Sequence, residues 1–206
     1  MKTRTKNIIS WVLSLIMIVA GGALIASFFL AGSLSSTATN EENPGGFSVP
    51  RLESADRGST GGPEDKTLEL TIPAMARIDK DEVPSSEANE EQLKNYAAVH
   101  LQGTGHPWED EANVYIAGHR LGYPNTESFL TFWDLNELEN GDRVFVTDAN
   151  GTEYTYEVFK EFTVSPTDLS VTEPIPGKNV LTLQSCTLPD YSQRLVVQAE
   201  LIETSA

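Results

Sequence analysis

The chain predicts a mainly β domain, an antiparallel barrel or sandwich with short helices, carried behind one apolar membrane segment. Three observations carry that prediction. Six runs rich in β-branched and aromatic residues recur across the C-terminal two-thirds, separated by Gly, Pro, Asn and Asp. Helical signals there are confined to two short windows. Residues 8–34, a stretch of 27, contain no charged side chain.

The bulk numbers narrow the field. A length of 206 residues allows one domain or at most two. A formal charge of −16 argues against a general nucleic-acid binder, which needs a basic surface. A single cysteine rules out an intrachain disulfide and any zinc site built from several thiolates. With 39% hydrophobic and 21% charged residues, the chain as a whole is neither disordered nor fibrous.

Residues 1–7 carry Lys2, Arg4 and Lys6 and no acid. The uncharged run that follows would extend roughly 40 Å as a helix, and a bilayer core needs about 20 apolar residues. The basic end predicts a cytoplasmic N-terminus and an extracellular C-terminal part. A cleavable signal peptide has a hydrophobic region of about 7–15 residues. The run is longer than that, although Ser36-Thr37-Ala38 leaves cleavage open. The expectation is a retained, single-pass cell-membrane anchor over 8–34. Residues 35–66 then read as a flexible extracellular linker, rich in Ser, Thr, Gly, Asn and Pro, with too little apolar area to offset the entropy of ordering. Three of the 14 basic residues and no acid precede residue 41, so the remainder holds 11 basic against 30 acidic residues. A surface of that charge reads first as solvation, and second as attraction for a cationic partner such as an amine.

Residues 67–206 form the folded domain. Residues 67–72 (TLELTI) alternate and stop at Pro73. Residues 113–117 (NVYIA) are apolar. Residues 143–147 (RVFVT) and 153–159 (EYTYEVF) flank Asp148-Ala149-Asn150-Gly151, and Asn-Gly is a strong hairpin signal. Residues 179–184 (NVLTLQ) and 194–202 (RLVVQAELI) complete the strands. Helices are expected over 86–98, with Ser86 as cap and acids in the first turn, and over 127–136.

Cys186 closes one strand and precedes a turn at Thr187-Leu188-Pro189-Asp190. An exported thiol without a partner pairs, hides or works, and a buried inert cysteine is the plain alternative. His119 occupies the same situation, at the end of the 113–117 strand. Arg194 opens the next strand, and a turn over 187–193 would return it beside Cys186 if the two strands are antiparallel neighbours. Thiol, imidazole and guanidinium suit acyl transfer: a thiolate attacks a carbonyl, an imidazolium protonates the departing amine, and a guanidinium steadies the oxyanion or the peptide backbone.

At these residues the chain resembles the sortases. Thr182-Leu183-Gln184-Ser185-Cys186 is similar to the family's T-L-x-T-C signature, with Ser185 in place of threonine. Ala117-Gly118-His119-Arg120 is similar to the segment around the family's histidine, and Arg194 stands where its arginine is expected. Thr71-Ile72-Pro73 resembles the opening strand. Gly118-His119-Arg120 and the short Cys-to-Arg interval look most like the class E sortases of high-GC Gram-positive bacteria. The resemblance implies a closed eight-stranded β-barrel and a cysteine transpeptidase. It would cleave an LPxTG- or LAxTG-like sorting signal between Thr and Gly and pass the acyl group to an amine of cell wall precursor or pilin. It implies Cys186 as nucleophile, His119 as acid/base and Arg194 as oxyanion or positioning group. It also points to Tyr123 and Ser185 as substrate-binding residues, Tyr123 for an LAxTG preference. No cofactor, metal or nucleic acid is implied. The partners it implies are sorting-motif surface proteins or pilins and the amine acceptor, with membrane lipid expected around the anchor.

The other candidates carry less. His100 and His106 could join His119 as metal ligands, but their spacing favours hydrogen-bonded or exposed loop histidines. Asp79, Asp81 and Glu82, and the run Glu109, Asp110 and Glu111, lack a calcium-loop pattern and read as solvated acids. Trp108 reads as a packing anchor. Two other functions stay open: a non-enzymatic β domain that binds peptides or wall components, and a thiol hydrolase that releases peptides instead of joining them.

Overall fold

The computed structural model describes residues 61–206. The anchor expected at 8–34 and most of the linker expected at 35–66 lie outside the described residues. Among the described residues no helix is long and apolar enough to cross a membrane.

The elements run β1 (Leu68–Thr71), β2 (Asp81–Val83), β3 (Ser85–Ser86), α1 (Glu90–Asn95), β4 (Val99–Leu101), β5 (Asn113–Ala117), β6 (Arg143–Asp148), β7 (Glu153–Val164), β8 (Val180–Cys186) and β9 (Arg194–Ser205). Short 3₁₀ turns lie at Leu135–Glu137 and Ser170–Thr172. The nine strands form one sheet in the order β2-β1-β6-β7-β9-β8-β5-β4-β3. Eight strands were expected, and Pro84 accounts for the difference. It stands alone between β2 and β3 and has no N–H to donate. The segment therefore pairs with β1 before the proline and with β4 after it. That one stretch borders both edges of the sheet and brings the barrel to near closure.

The six strands expected from patterning all form, most of them longer than the pattern indicated. The β6–β7 turn is closed by Asp148, whose Oδ1 accepts from the backbone N–H of Asn150 and Thr152 at 2.9 and 3.0 Å. β2, β3 and β4 carried no signal, because two or three residues are too few to display a period. The helix expected over 86–98 shrinks to α1. Asn89, not Ser86, caps it, its Oδ1 accepting from the Gln92 N–H at 3.0 Å. Ser86 belongs to β3, and its hydroxyl accepts from Ala88 N–H at 2.9 Å. The helix expected over 127–136 is a series of turns ending in the 3₁₀ turn. Leu130 has φ of +58°, a left-handed conformation that interrupts a right-handed helix.

Alternation along the strands divides the core in two. Leu68, Leu70, Ile116, Val144, Val146, Leu181, Leu183 and Val197 fill the barrel. Tyr115, Ala117, Cys186 and Val196 face the other side of β5, β8 and β9, where Leu93 of α1, Val99, Leu101 and Val171 cover them. Each fully buried Val, Leu or Ile stabilises the fold by about 1.5–3 kcal/mol relative to exposure. The short helix α1 is thus held by packing and not by its own propensity.

Candidate active site

Two strand pairings build the site. β5 and β8 are parallel, with Ala117 opposite Gln184. β8 and β9 are antiparallel, with Cys186 directly opposite Arg194. Two residues beyond Ala117 lies His119, and two beyond Gln184 lies Cys186. Period-two alternation places His119, Cys186 and Arg194 in one row across the outer face. The row beneath is Ala117, Gln184 and Val196, and the next holds Tyr115, Thr182 and Gln198. Polar bonds brace these lower rows: Tyr115 Oη donates to Gln184 Oε1, and Thr182 Oγ1 donates to Asn113 Oδ1 at 2.7 Å.

The loops on either side hold the row in place. Thr187 and Gln193 close the β8–β9 turn through Thr187 N–H to Gln193 O at 3.1 Å and Gln193 N–H to Thr187 Oγ1 at 3.1 Å. The Arg194 guanidinium donates from Nη1 to the carbonyls of Tyr191 and Gln193. After β5 the chain doubles back, with Phe132 N–H bonded to His119 O and Leu130 N–H to Leu121 O, both at 3.0 Å. Gly122 has φ of +61°, and a Cβ there would fall 1.9 Å from Ser128 O, so only glycine fits this crossing. Gly118 turns to the opposite side from His119. A Cβ there would meet the Phe132 ring at 3.0 Å and Ala97 O at 3.1 Å.

Ser185 lies on that opposite side too. It is fully buried, and its hydroxyl donates to Gly118 O at 2.9 Å. It ties the end of β8 to the residue before His119. Period-two alternation turns it away from the face that carries Cys186. Tyr123, by contrast, lies beside His119: the ring centroids are 5.5 Å apart at 89°. Its hydroxyl donates to Glu90 Oε1, and Lys94 Nζ sits 5.2 Å above its ring.

Two further residues belong to the site. Glu90 opens α1, and its Oε1 lies 3.3 Å from His119 Nε2. In the sequence it was one of several acids in a first helical turn, and nothing linked it to a histidine 29 positions away. Arg120 is buried and donates to Asn136 Oδ1. Its guanidinium feels Asp134, Glu161, Glu137 and Cys186.

Burial dominates the electrostatics. Cys186 is 2% exposed, and burial pushes its thiol up to about 11. Arg194 and Arg120 pull it down, and Glu90 pushes it up. Burial also holds the His119 imidazole down at about 4. At neutral pH the resting pair is therefore a neutral thiol and a neutral imidazole. An inert core cysteine would have apolar neighbours alone, whereas three charged side chains act on this one.

His100 is a strand residue with no exposure, not a loop residue. Its Nδ1 is 3.0 Å from Ser85 Oγ and its Nε2 3.0 Å from Gly105 O. A carbonyl only accepts, so Nε2 carries the proton. Burial holds its pKa near 3. His106 packs between His100 and Trp108, with ring centroids 4.7 Å from each, and Trp108 packs on the barrel core. Among the described residues no three His, Cys, Asp or Glu side chains converge as a metal site requires. A surface hollow lined by Asp65, Glu69, Glu82 and Asp148 shares no residue with the His119 row.

Fold and row together define a small, nearly closed β-barrel protein with one buried thiol opposite a guanidinium and in line with an imidazole. A model of the sortase domain matches residues 70–202, and the chain belongs to the sortase family. It is similar to sortase A of Streptococcus agalactiae serotype III (strain NEM316), 25% identical over 217 residues, 96% of this chain and 86% of that protein. Among solved structures it is similar to sortase C1 of S. agalactiae, with TM-score 0.58, 29% identity and coverage of 66% of this chain and 67% of that one. Sortase A of Corynebacterium diphtheriae aligns with TM-score 0.58 and 25% identity over 66% of this chain, and the match spans 60% of that enzyme's length.

Proposed function

We propose that this protein is a membrane-anchored cysteine transpeptidase. It would cleave an LPxTG- or LAxTG-like sorting signal between Thr and Gly and join the Thr carbonyl to an amine of cell wall precursor or pilin. The observation that carries this reading is Cys186 opposite Arg194 across β8 and β9, with His119 two residues past the end of β5 in line with them.

In the proposed cycle the Cys186 proton passes to His119, and the sulfur attacks the Thr carbonyl carbon. Arg194 donates to the oxyanion, supplying stabilisation that peaks in the transition state. The C–N bond breaks as His119 returns the proton to the departing glycine amine, leaving a thioester. An incoming amine attacks that thioester, its surplus proton goes to His119, and the S–C bond breaks. The thiolate then regains the proton. The ion pair is a minor population of the free protein, so substrate binding has to favour it. Tyr123, against the His119 ring, would line the part of the groove that meets the second residue of an LAxTG motif. Gly118-His119-Arg120 and the eight-residue step from Cys186 to Arg194 support a class E assignment. Residues 8–34 would anchor the domain on the outer side of the cell membrane.

The test uses fluorogenic LPxTG and LAxTG peptides with and without an amine acceptor. Cleavage lost in Cys186→Ala, with a ligated product formed only when acceptor is present, supports a transpeptidase. Undiminished cleavage in Cys186→Ala overturns it. Recovery of the full-length protein in the soluble fraction would overturn the anchor.

A further inference from the structure

We propose that Glu90 is a positioning residue for His119: its carboxylate, engaged by the Tyr123 hydroxyl, lies at ion-pair distance from Nε2, favours the proton on that nitrogen and leaves Nδ1 as the nitrogen that takes and returns the reaction proton. The inference rests on the transpeptidase reading above and adds a member to its site.

The geometry is specific. Glu90 Oε1 is 3.3 Å from His119 Nε2 and also accepts from Tyr123 Oη. A carboxylate has no proton to give, so at this ion-pair distance it favours the tautomer with the proton on the ring nitrogen beside it. The same Tyr123 contacts the imidazole edge-on, so one contact limits ring tilt and the other limits ring rotation. A histidine held in one tautomer keeps its other nitrogen basic and aimed, which is how an orienting carboxylate serves a general base. The proton count balances. Nδ1 gains the thiol proton as the S–C bond forms and gives it to the amine as the C–N bond breaks, while Glu90 stays a carboxylate throughout.

The charges around His119 come from four directions. Glu90 and Lys94 lie on α1 and Arg120 and Tyr123 on the loop after β5, while Cys186 and Arg194 lie on β8 and β9. Among them Glu90 is the anion nearest the ring. It therefore has opposite effects on the two partners, favouring the imidazolium and disfavouring the Cys186 thiolate. Replacing the carboxylate by an amide of the same shape separates these effects.

In the full-length protein, Glu90→Gln is expected to raise Cys186 alkylation by iodoacetamide several-fold at pH 8, because the thiol becomes more acidic. The same variant is expected to lower kcat/KM for the sorting peptide about tenfold, because the imidazolium loses the anion beside Nε2. Glu90→Asp, which keeps the charge, restores turnover. A merely structural role would raise alkylation and lower turnover in Glu90→Asp as well as in Glu90→Gln, and that outcome overturns the proposal. Nitrogen-15 spectra of His119 in the unmodified protein supply an arm that needs no variant. A neutral ring protonated on Nε2 supports the assignment, and one protonated on Nδ1 overturns it. Absence of peptide cleavage in the unmodified protein would refute the transpeptidase reading, while the alkylation and tautomer results would still decide the Glu90 coupling.

Discussion

The raised thiol of Cys186 has a direct chemical consequence. With its pKa near 11, about one molecule in ten thousand carries thiolate at pH 7, against about three in a hundred for a free cysteine of pKa about 8.5. That is a deficit of roughly 300-fold. The more basic thiolate is also the better nucleophile, with a Brønsted slope of about 0.4–0.5, which returns about tenfold. Alkylation of the folded protein by iodoacetamide at pH 7 should then be roughly 30-fold slower than that of a free cysteine. The rate should climb about tenfold per pH unit to pH 10, where a free thiol has already levelled off. The assay is quenched alkylation followed by intact-mass measurement across pH 6–11. Arg194→Gln removes the cation that lowers this pKa, so its alkylation rate between pH 7 and 10 should fall several-fold. A midpoint below pH 9 in the unmodified protein, or a downward shift in Arg194→Gln, would refute the electrostatic account of the site.

His119→Ala should lower kcat/KM for a sorting peptide by about 10²–10⁴, the range for a general acid–base group; a loss of only a few-fold would remove His119 from that role. His100 and His119 have folded pKa values near 3 and 4 against about 6.5 unfolded. Between those values the unfolded chain binds more protons, so stability is complete above pH 6.5 and falls with pH through this window, by about 3 kcal/mol for His119 alone at pH 4. Thermal melts at pH 7 and 4.5 check this, and His119→Asn should narrow the difference. Ser185→Ala removes the hydroxyl that satisfies Gly118 O and should cost about 1–3 kcal/mol, a Tm drop of several degrees, with peptide KM unchanged if its role is to brace the strand ends.

The long strands were legible because period-two patterning over five or more residues admits few other readings. The β8–β9 pairing was legible too: a turn between two strong strands set Arg194 opposite Cys186. The short helix was overestimated, because acids and a serine signal a helix start at several positions and only the Asn89 side chain closes one. The stretch over 127–136 carried helical composition, yet its backbone reverses at Leu130 to seat Phe132 against Gly118. Strands β2, β3 and β4 were invisible, since their stability comes from neighbours that the local sequence does not contain. His100 looked like a loop residue for the same reason.

By itself, then, the sequence determined the long strands and which thiol, imidazole and guanidinium stand at their ends, because residue identity and two-residue alternation are local properties. It also set the charge contrast between residues 1–40 and the acidic remainder. Tertiary structure alone decided that His119 is aligned with the Cys186–Arg194 pair, since the parallel register of β5 and β8 is made between chain segments 67 residues apart. It also brought Glu90 to 3.3 Å from His119 Nε2 and turned Ser185 away from the thiol. Packing sets the burial that keeps thiol and imidazole neutral at rest. A pKa depends on what surrounds a group in space, and no reading along the chain supplies that environment.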